Sequence, residues 1–140
     1  MNRKPSDASH ATATAERNPP ASLTAAMDAL VHGYRAELEI YSTVRALTRR
    51  QRDTLCDGWG WDLDRFGDLL DEKEDLLRMI EQVESVMKGA KSLVLGRKQP
   101  ECPNRWQLER LLDQLAAMIE EIRALEGANA SLLETALAAG

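Results

Sequence analysis

No proline occurs between Ala21 and Gln99, nor again after Pro103. Proline lacks a backbone N–H and its ring collides with the preceding helical turn, so a long helix excludes it. Both proline-free blocks also carry apolar residues at alternating spacings of three and four, the period of one helix face. In the first block the stripe is Leu23, Met27, Leu30, Tyr34, Leu38, Tyr41, Val44, Leu47 and Leu55. This predicts a first helix over residues 22–56, with Ser22 as its N-cap after Pro19-Pro20. Gly33 reads as a weak point in it, since glycine costs about 1 kcal/mol against alanine inside a helix.

The run Cys56-Asp57-Gly58-Trp59-Gly60-Trp61-Asp62 interrupts the stripe, and two glycines flanked by Asp favour a tight turn. A second helix is expected over 61–88, on the stripe Phe66, Leu69, Leu70, Leu76, Leu77, Ile80, Val83 and Met87. Lys73 occupies a stripe position, where its stem is expected to cover the seam while its ammonium reaches water. Gly89, Gly96, Pro100 and Pro103 punctuate the next segment, which reads as a loop with Leu93-Val94-Leu95 tucked against the helices or forming a short extra turn. A third helix is expected over 104–138, opened by a capping-box spacing at Asn104 and Gln107. Its stripe runs from Leu108 through Leu111, Leu115, Ile122 and Leu125 to Leu137.

Helices of this length are about 40–50 Å long, more than a compact globule of this mass needs. The fold class is therefore all-α, an elongated antiparallel three-helix bundle or coiled coil. The 4% aromatic content suits narrow helical seams filled by leucine and alanine better than a sheet sandwich. Residues 1–21 contain no Leu, Ile, Val or Phe and three of the five prolines. They cannot offset an ordering cost of about 1–2 kcal/mol per residue, and are expected to form a disordered tail ahead of one helical domain over 22–140.

Net charge is −5, and without residues 1–21 it is −6. Such a body repels phosphate backbones, which argues against nucleic-acid binding. Arg45, Arg49, Arg50 and Arg52 close the first helix, while Asp57, Asp62, Asp64, Asp68, Asp71 and Glu72 open the second. An antiparallel hairpin would bring these two sets together, each suited to its helix dipole. No apolar stretch is long enough to span a bilayer and no secretory signal is evident, so a cytoplasmic location is expected. There Cys56 and Cys102 would stay reduced and unbonded to each other.

Chemistry is sparse. His32 is the only helical histidine, no Glu-x-x-His or CxxC spacing occurs, and no metal or other cofactor is expected. The paired acids Asp71-Glu72, Glu74-Asp75 and Glu120-Glu121 read as solvated helix faces, not as a catalytic carboxylate pair. His32 and Cys56 lie about 36 Å apart along one helix, too far for a nucleophile–base couple. The chain is therefore read as a protein-binding protein, not an enzyme.

The stretch Leu55-Cys56-Asp57-Gly58, followed by Leu69-Leu70-Asp71-Glu72-Lys73-Glu74-Asp75-Leu76-Leu77-Arg78-Met79-Ile80, resembles the FlgN-type flagellar export chaperones. So does a last helix carrying Asn129 ahead of Leu132 and Leu133, and the resemblance spans about Ser22 to Leu137. It implies a cytosolic chaperone that holds hook-associated (hook-filament junction) proteins before secretion, with a client-binding role for the C-terminal helix. An export-apparatus component is a further partner it admits. The expected client surface comprises Leu125, Asn129, Leu132, Leu133 and Leu137, extended by Trp59 and Trp61. The alternative for these leucines is that they complete the bundle core. The alternative for the whole chain is a dimeric coiled-coil adaptor, or a helical protein that sequesters a regulator.

Overall fold

The computed structural model describes residues 22–56, 62–95 and 105–139. They form three helices and no strand: α1 (Leu23–Cys56), α2 (Leu63–Leu95) and α3 (Arg105–Ala139). At 1.5 Å per residue each is about 50 Å long. Ser22 caps α1 by accepting a hydrogen bond at Oγ from the Ala25 N–H (3.1 Å). Asp62 caps α2 in the same way, accepting from the Arg65 N–H (3.1 Å). Each satisfies one of the orphan donors of a first helical turn. Residues 1–21, the turn containing Trp59 and Trp61, and Asn104 lie outside the described residues.

The second helix runs a further two turns past its expected end at Lys88. Gly89 does not stop it, because the following residues are held by packing: Ala90 is fully buried, and Leu93 and Val94 lie against the main core cluster. Burial of this kind outweighs a propensity cost of about 1 kcal/mol.

α1 is the central helix. Its C-terminal part meets the start of α2 and its N-terminal part the end of α2, so these two are antiparallel. Arg45 and Thr48 of α1 contact Glu121 and Asn129 of α3, so α1 and α3 run parallel. Among the described residues no Cα of α2 comes within 8 Å of one in α3. The core is built around α1, with Met27, Leu30 and Val31 packed on Met87 and Ala90 from α2 and on Leu108 and Leu111 from α3.

Gly33 proves to be a contact point and not a weakness. A Cβ there would lie 2.2 Å from Met87 Sδ and 2.7 Å from its Cγ. The missing side chain lets α1 and α2 approach closely at that turn.

Among the described residues the arginines at the end of α1 do not pair with the acids of α2 as expected, and Asp57 lies outside those residues. Arg45 (3.0 Å) and Arg49 both bind Glu121 of α3. One turn apart, they share the α3-facing side of α1, and Asp62, Asp64, Asp68, Asp71 and Glu72 stand exposed in water.

Candidate partner-binding trough

α2 and α3 each pack on α1 and approach each other less closely, meeting where Lys73 bonds Glu126, so a trough is left between them. Leu70, Lys73 and Leu77 share one face of α2 by their three- and four-residue spacing. By their seven-residue spacing Leu112, Ile119, Glu126 and Leu133 share one side of α3, and on that side Glu126 bonds Lys73 and Leu133 lines the same cavity as Leu70. On these two helix sides Leu70, Leu77 and Leu112 remain 42%, 40% and 41% exposed. Their stripes are wider than one neighbouring helix can cover.

The floor near the α1 C-terminus is polar. Lys73 is only 4% exposed, and its Nζ donates to Gln51 Oε1 (2.9 Å) and to Glu126 Oε2 (2.9 Å). Its ammonium therefore does not reach water as expected: it ties all three helices together. The cause is Gln51, buried on the α1 stripe one turn after Leu47 and one turn before Leu55. It offers Lys73 an acceptor inside the seam. Beside it Asn129 donates from Nδ2 to the Thr48 carbonyl (3.1 Å), while its Oδ1 is buried with no partner among the described residues. A cavity of about 210 Å³ opens here, lined among others by Phe66, Leu70, Lys73, Asn129, Ala130 and Leu133.

The expected client residues thus occupy different depths. Asn129 is buried, Leu125, Leu132 and Leu133 are half-buried, and Leu137 is largely exposed. Leu133 and Asn129 meet at the cavity, but Leu125, Leu132 and Leu137 do not line it. Trp59 and Trp61 belong to the turn that is not described. Sequence reasoning missed Gln51 and Glu126 as members of this cluster. The available signal was a polar residue inside an apolar stripe, noticed at Lys73 and overlooked at Gln51.

A second buried polar group lies between α1 and α2. Glu37 is 4% exposed and faces Glu84, and Glu84 pairs with Lys91. Lys91 Nζ sits 5.6 Å from the Tyr34 ring centroid. Burial, then the hydrogen bond and charge of Glu84, push the Glu37 carboxyl up to about 8, against the pull of Lys91. Its hydrogen bond with Glu37 holds Glu84 below the usual carboxylate range, helped by Lys91. Burial opposes ionisation of Lys91, but Glu84 and Tyr34 raise it above its ordinary value.

Among the described residues no group of three or more His, Cys, Asp or Glu is placed to hold a metal ion, and no helix is long and apolar enough to cross a membrane. Cys56 is an exposed thiol at the end of α1, and Cys102 lies outside the described residues.

Long helices that leave an amphipathic face without an internal partner define the class: helical proteins with an open apolar trough. Residues 27–139 match the family model described as FlgN protein, and the chain belongs to this family of flagellar export chaperones. Family members bind flagellar proteins. No curated protein and no solved structure matches the chain.

Proposed function

We propose that this chain is a cytoplasmic chaperone without catalytic activity, which holds a hook-associated protein before export by taking an amphipathic helix of that client into the trough between α2 and α3. Residues 22–140 would act as one domain in this role. The observations that support the reading are the two-fifths-exposed leucines, Leu70, Leu77 and Leu112, and the cavity shared by Leu70 and Asn129, whose Oδ1 lacks a donor among the described residues. A client helix would cover the leucines and supply that donor from a carboxamide or hydroxyl side chain. Leu133 would be a contact at the cavity, Leu125, Leu132 and Leu137 would extend the surface along α3, and Trp59 and Trp61 would border it.

Leu70→Asp with Leu133→Asp tests this. Leu70 is partly in water already, so the double variant is expected to keep its helicity and lose co-purification with a hook-associated protein. A well-folded double variant that still retains the client rejects the trough as its site. A tight homodimer that the same substitutions dissociate would favour the coiled-coil adaptor.

A further inference from the structure

The opposite side of the molecule carries a different kind of surface. Between α1 and α3, toward the N-terminal end of both, a cleft of about 390 Å³ is lined by Arg35, Leu38, Trp106, Gln107, Arg110 and Gln114. Trp106 is 66% exposed, the most exposed large apolar side chain after Leu95. Arg35 and Arg110 come from different helices, are exposed, and form no ion pair among the described residues. Every other cleft wall described above is either apolar or has its cations paired.

Leaving a tryptophan in water forgoes one of the largest hydrophobic gains a side chain can make. Arginine and tryptophan together are the residue types that dominate binding energy at interfaces. Two unpaired arginines lining one cleft with an indole suit carboxylates, which arginine grips in bidentate fashion, with an apolar side chain laid on Trp106 and Leu38. Gln107 and Gln114 add donors and acceptors for a peptide backbone. We infer that this cleft is a docking site for an acidic peptide segment of a partner protein, one that carries Asp or Glu around a leucine or aromatic residue. Charge complementarity selects this occupant. The chain as a whole is acidic, and Glu39, Glu109 and Asp113 stand within one turn of the two arginines. A long polyanion such as nucleic acid, or an anionic membrane, would meet those carboxylates, whereas a short segment meets only the cleft.

The site is independent of the trough, because its residues lie on the α1–α3 seam and share none with the α2–α3 opening. The test uses the full chain and a fluorescein-labelled peptide of repeating Leu-Glu-Glu-Leu, read by anisotropy. Its controls are a Leu-Lys-Lys-Leu peptide and a single-stranded oligonucleotide. The acidic peptide is expected to bind, and binding is expected to weaken about tenfold or more as NaCl rises from about 0.05 M to about 0.5 M. Arg35→Glu with Arg110→Glu should weaken it about tenfold or more, and Trp106→Ala severalfold, with the melting temperature unchanged because all three side chains are exposed. The charge-reversed variant should gain affinity for the lysine peptide. No binding of the acidic peptide, equal binding of both peptides, or a preference for the oligonucleotide lost with the same arginines would overturn the inference. So would an acidic-peptide affinity that the folded charge-reversed variant retains.

Discussion

The two buried polar clusters are built from similar parts and behave oppositely. At the three-helix junction one ammonium, Lys73, meets one carboxamide and one carboxylate, each from a different helix. Opposite charges and complementary donors satisfy one another, and the result is a tie among α1, α2 and α3. Between α1 and α2 two carboxyls, Glu37 and Glu84, share one ammonium, and Glu37 Oε2 finds no partner among the described residues. Like charges held together out of water cannot both ionise cheaply, so this cluster keeps a proton. The second cluster thereby makes packing of α1 on α2 depend on pH. The lesson is that burial of a polar residue says little until its partners are counted.

The largest expected effect comes from breaking the junction. Lys73→Ala should cost about 2–3 kcal/mol, the lower part of the range for a severed buried pair because Glu126 is half exposed and can take up water. Lys73→Met, which keeps the stem but severs the same bonds, should recover only about 1 kcal/mol of that loss in denaturant unfolding. A loss for Met as large as for Ala would mean the tie matters more than the packing.

Next is the pH response of the second cluster. The Glu37 carboxyl, at about 8 when folded, lies above its unfolded value, so between the two the folded state holds a proton that the unfolded state has released. Raising the pH therefore favours unfolding. The contribution is fully present below the unfolded value near 4.5 and is lost by about 8. Glu84 is lowered and acts with the opposite sign, but only below its ordinary value. Melting temperature should thus fall from about pH 5 to about pH 8, by about 1–2 kcal/mol in stability because the carboxyls share one proton, and Glu37→Gln should flatten the curve. A wild-type profile already flat over that interval would contradict the shared proton.

Gly33 sharpens the comparison further, since it lies one turn from Glu37 and meets Met87, one turn from Glu84. Gly33→Ala should gain helix propensity of about 1 kcal/mol and lose about 2 kcal/mol to overpacking, a net loss near 1 kcal/mol. By pushing α2 outward it should also make the pH profile shallower. Met87→Ala in the same chain should relieve the clash, which a double-mutant cycle would register as coupling. The smallest effect belongs to the ion pairs that neither cluster includes. Glu121→Ala removes partners from Arg45 and Arg49, yet all three are partly solvated, so about 0.5 kcal/mol is expected in the same unfolding assay.

The three helices and the central stripe of α1 were legible from spacing alone, because a helix with neighbours on two sides buries most of its apolar face, with Leu23, Tyr34, Leu38 and Tyr41 half-buried at its margins. Met27, Leu30, Val44, Leu47 and Leu55 are all buried as the stripe requires. The stripes of α2 and α3 were equally visible, but spacing does not reveal how many neighbours a helix has. Leu70, Leu77 and Leu112 look like core in the sequence and stand partly in water, since α2 and α3 approach each other less closely than either approaches α1. The destination of the arginines was likewise undetermined. Glu120-Glu121 and the acids of α2 are equivalent candidates until the parallel register of α1 and α3 is known. Neither polar cluster could be composed from sequence, because the first joins residues 22 to 81 positions apart and the second brings Glu37 to Glu84 of another helix.

The central position of α1 has a mechanical consequence. Each outer helix is seated on the same spine through its own seam, and the Lys73–Glu126 bridge is the one side-chain ion pair that crosses between them among the described residues. The width of the trough is therefore set by two separate joints and one strut, not by a closed ring of contacts. Were the proposed client helix to enter the trough, either flank would yield on its own seam once the Lys73–Glu126 bridge parted, so the cost of accommodating it would fall on one seam and the strut. A closed bundle of the same three helices would have to part every seam at once.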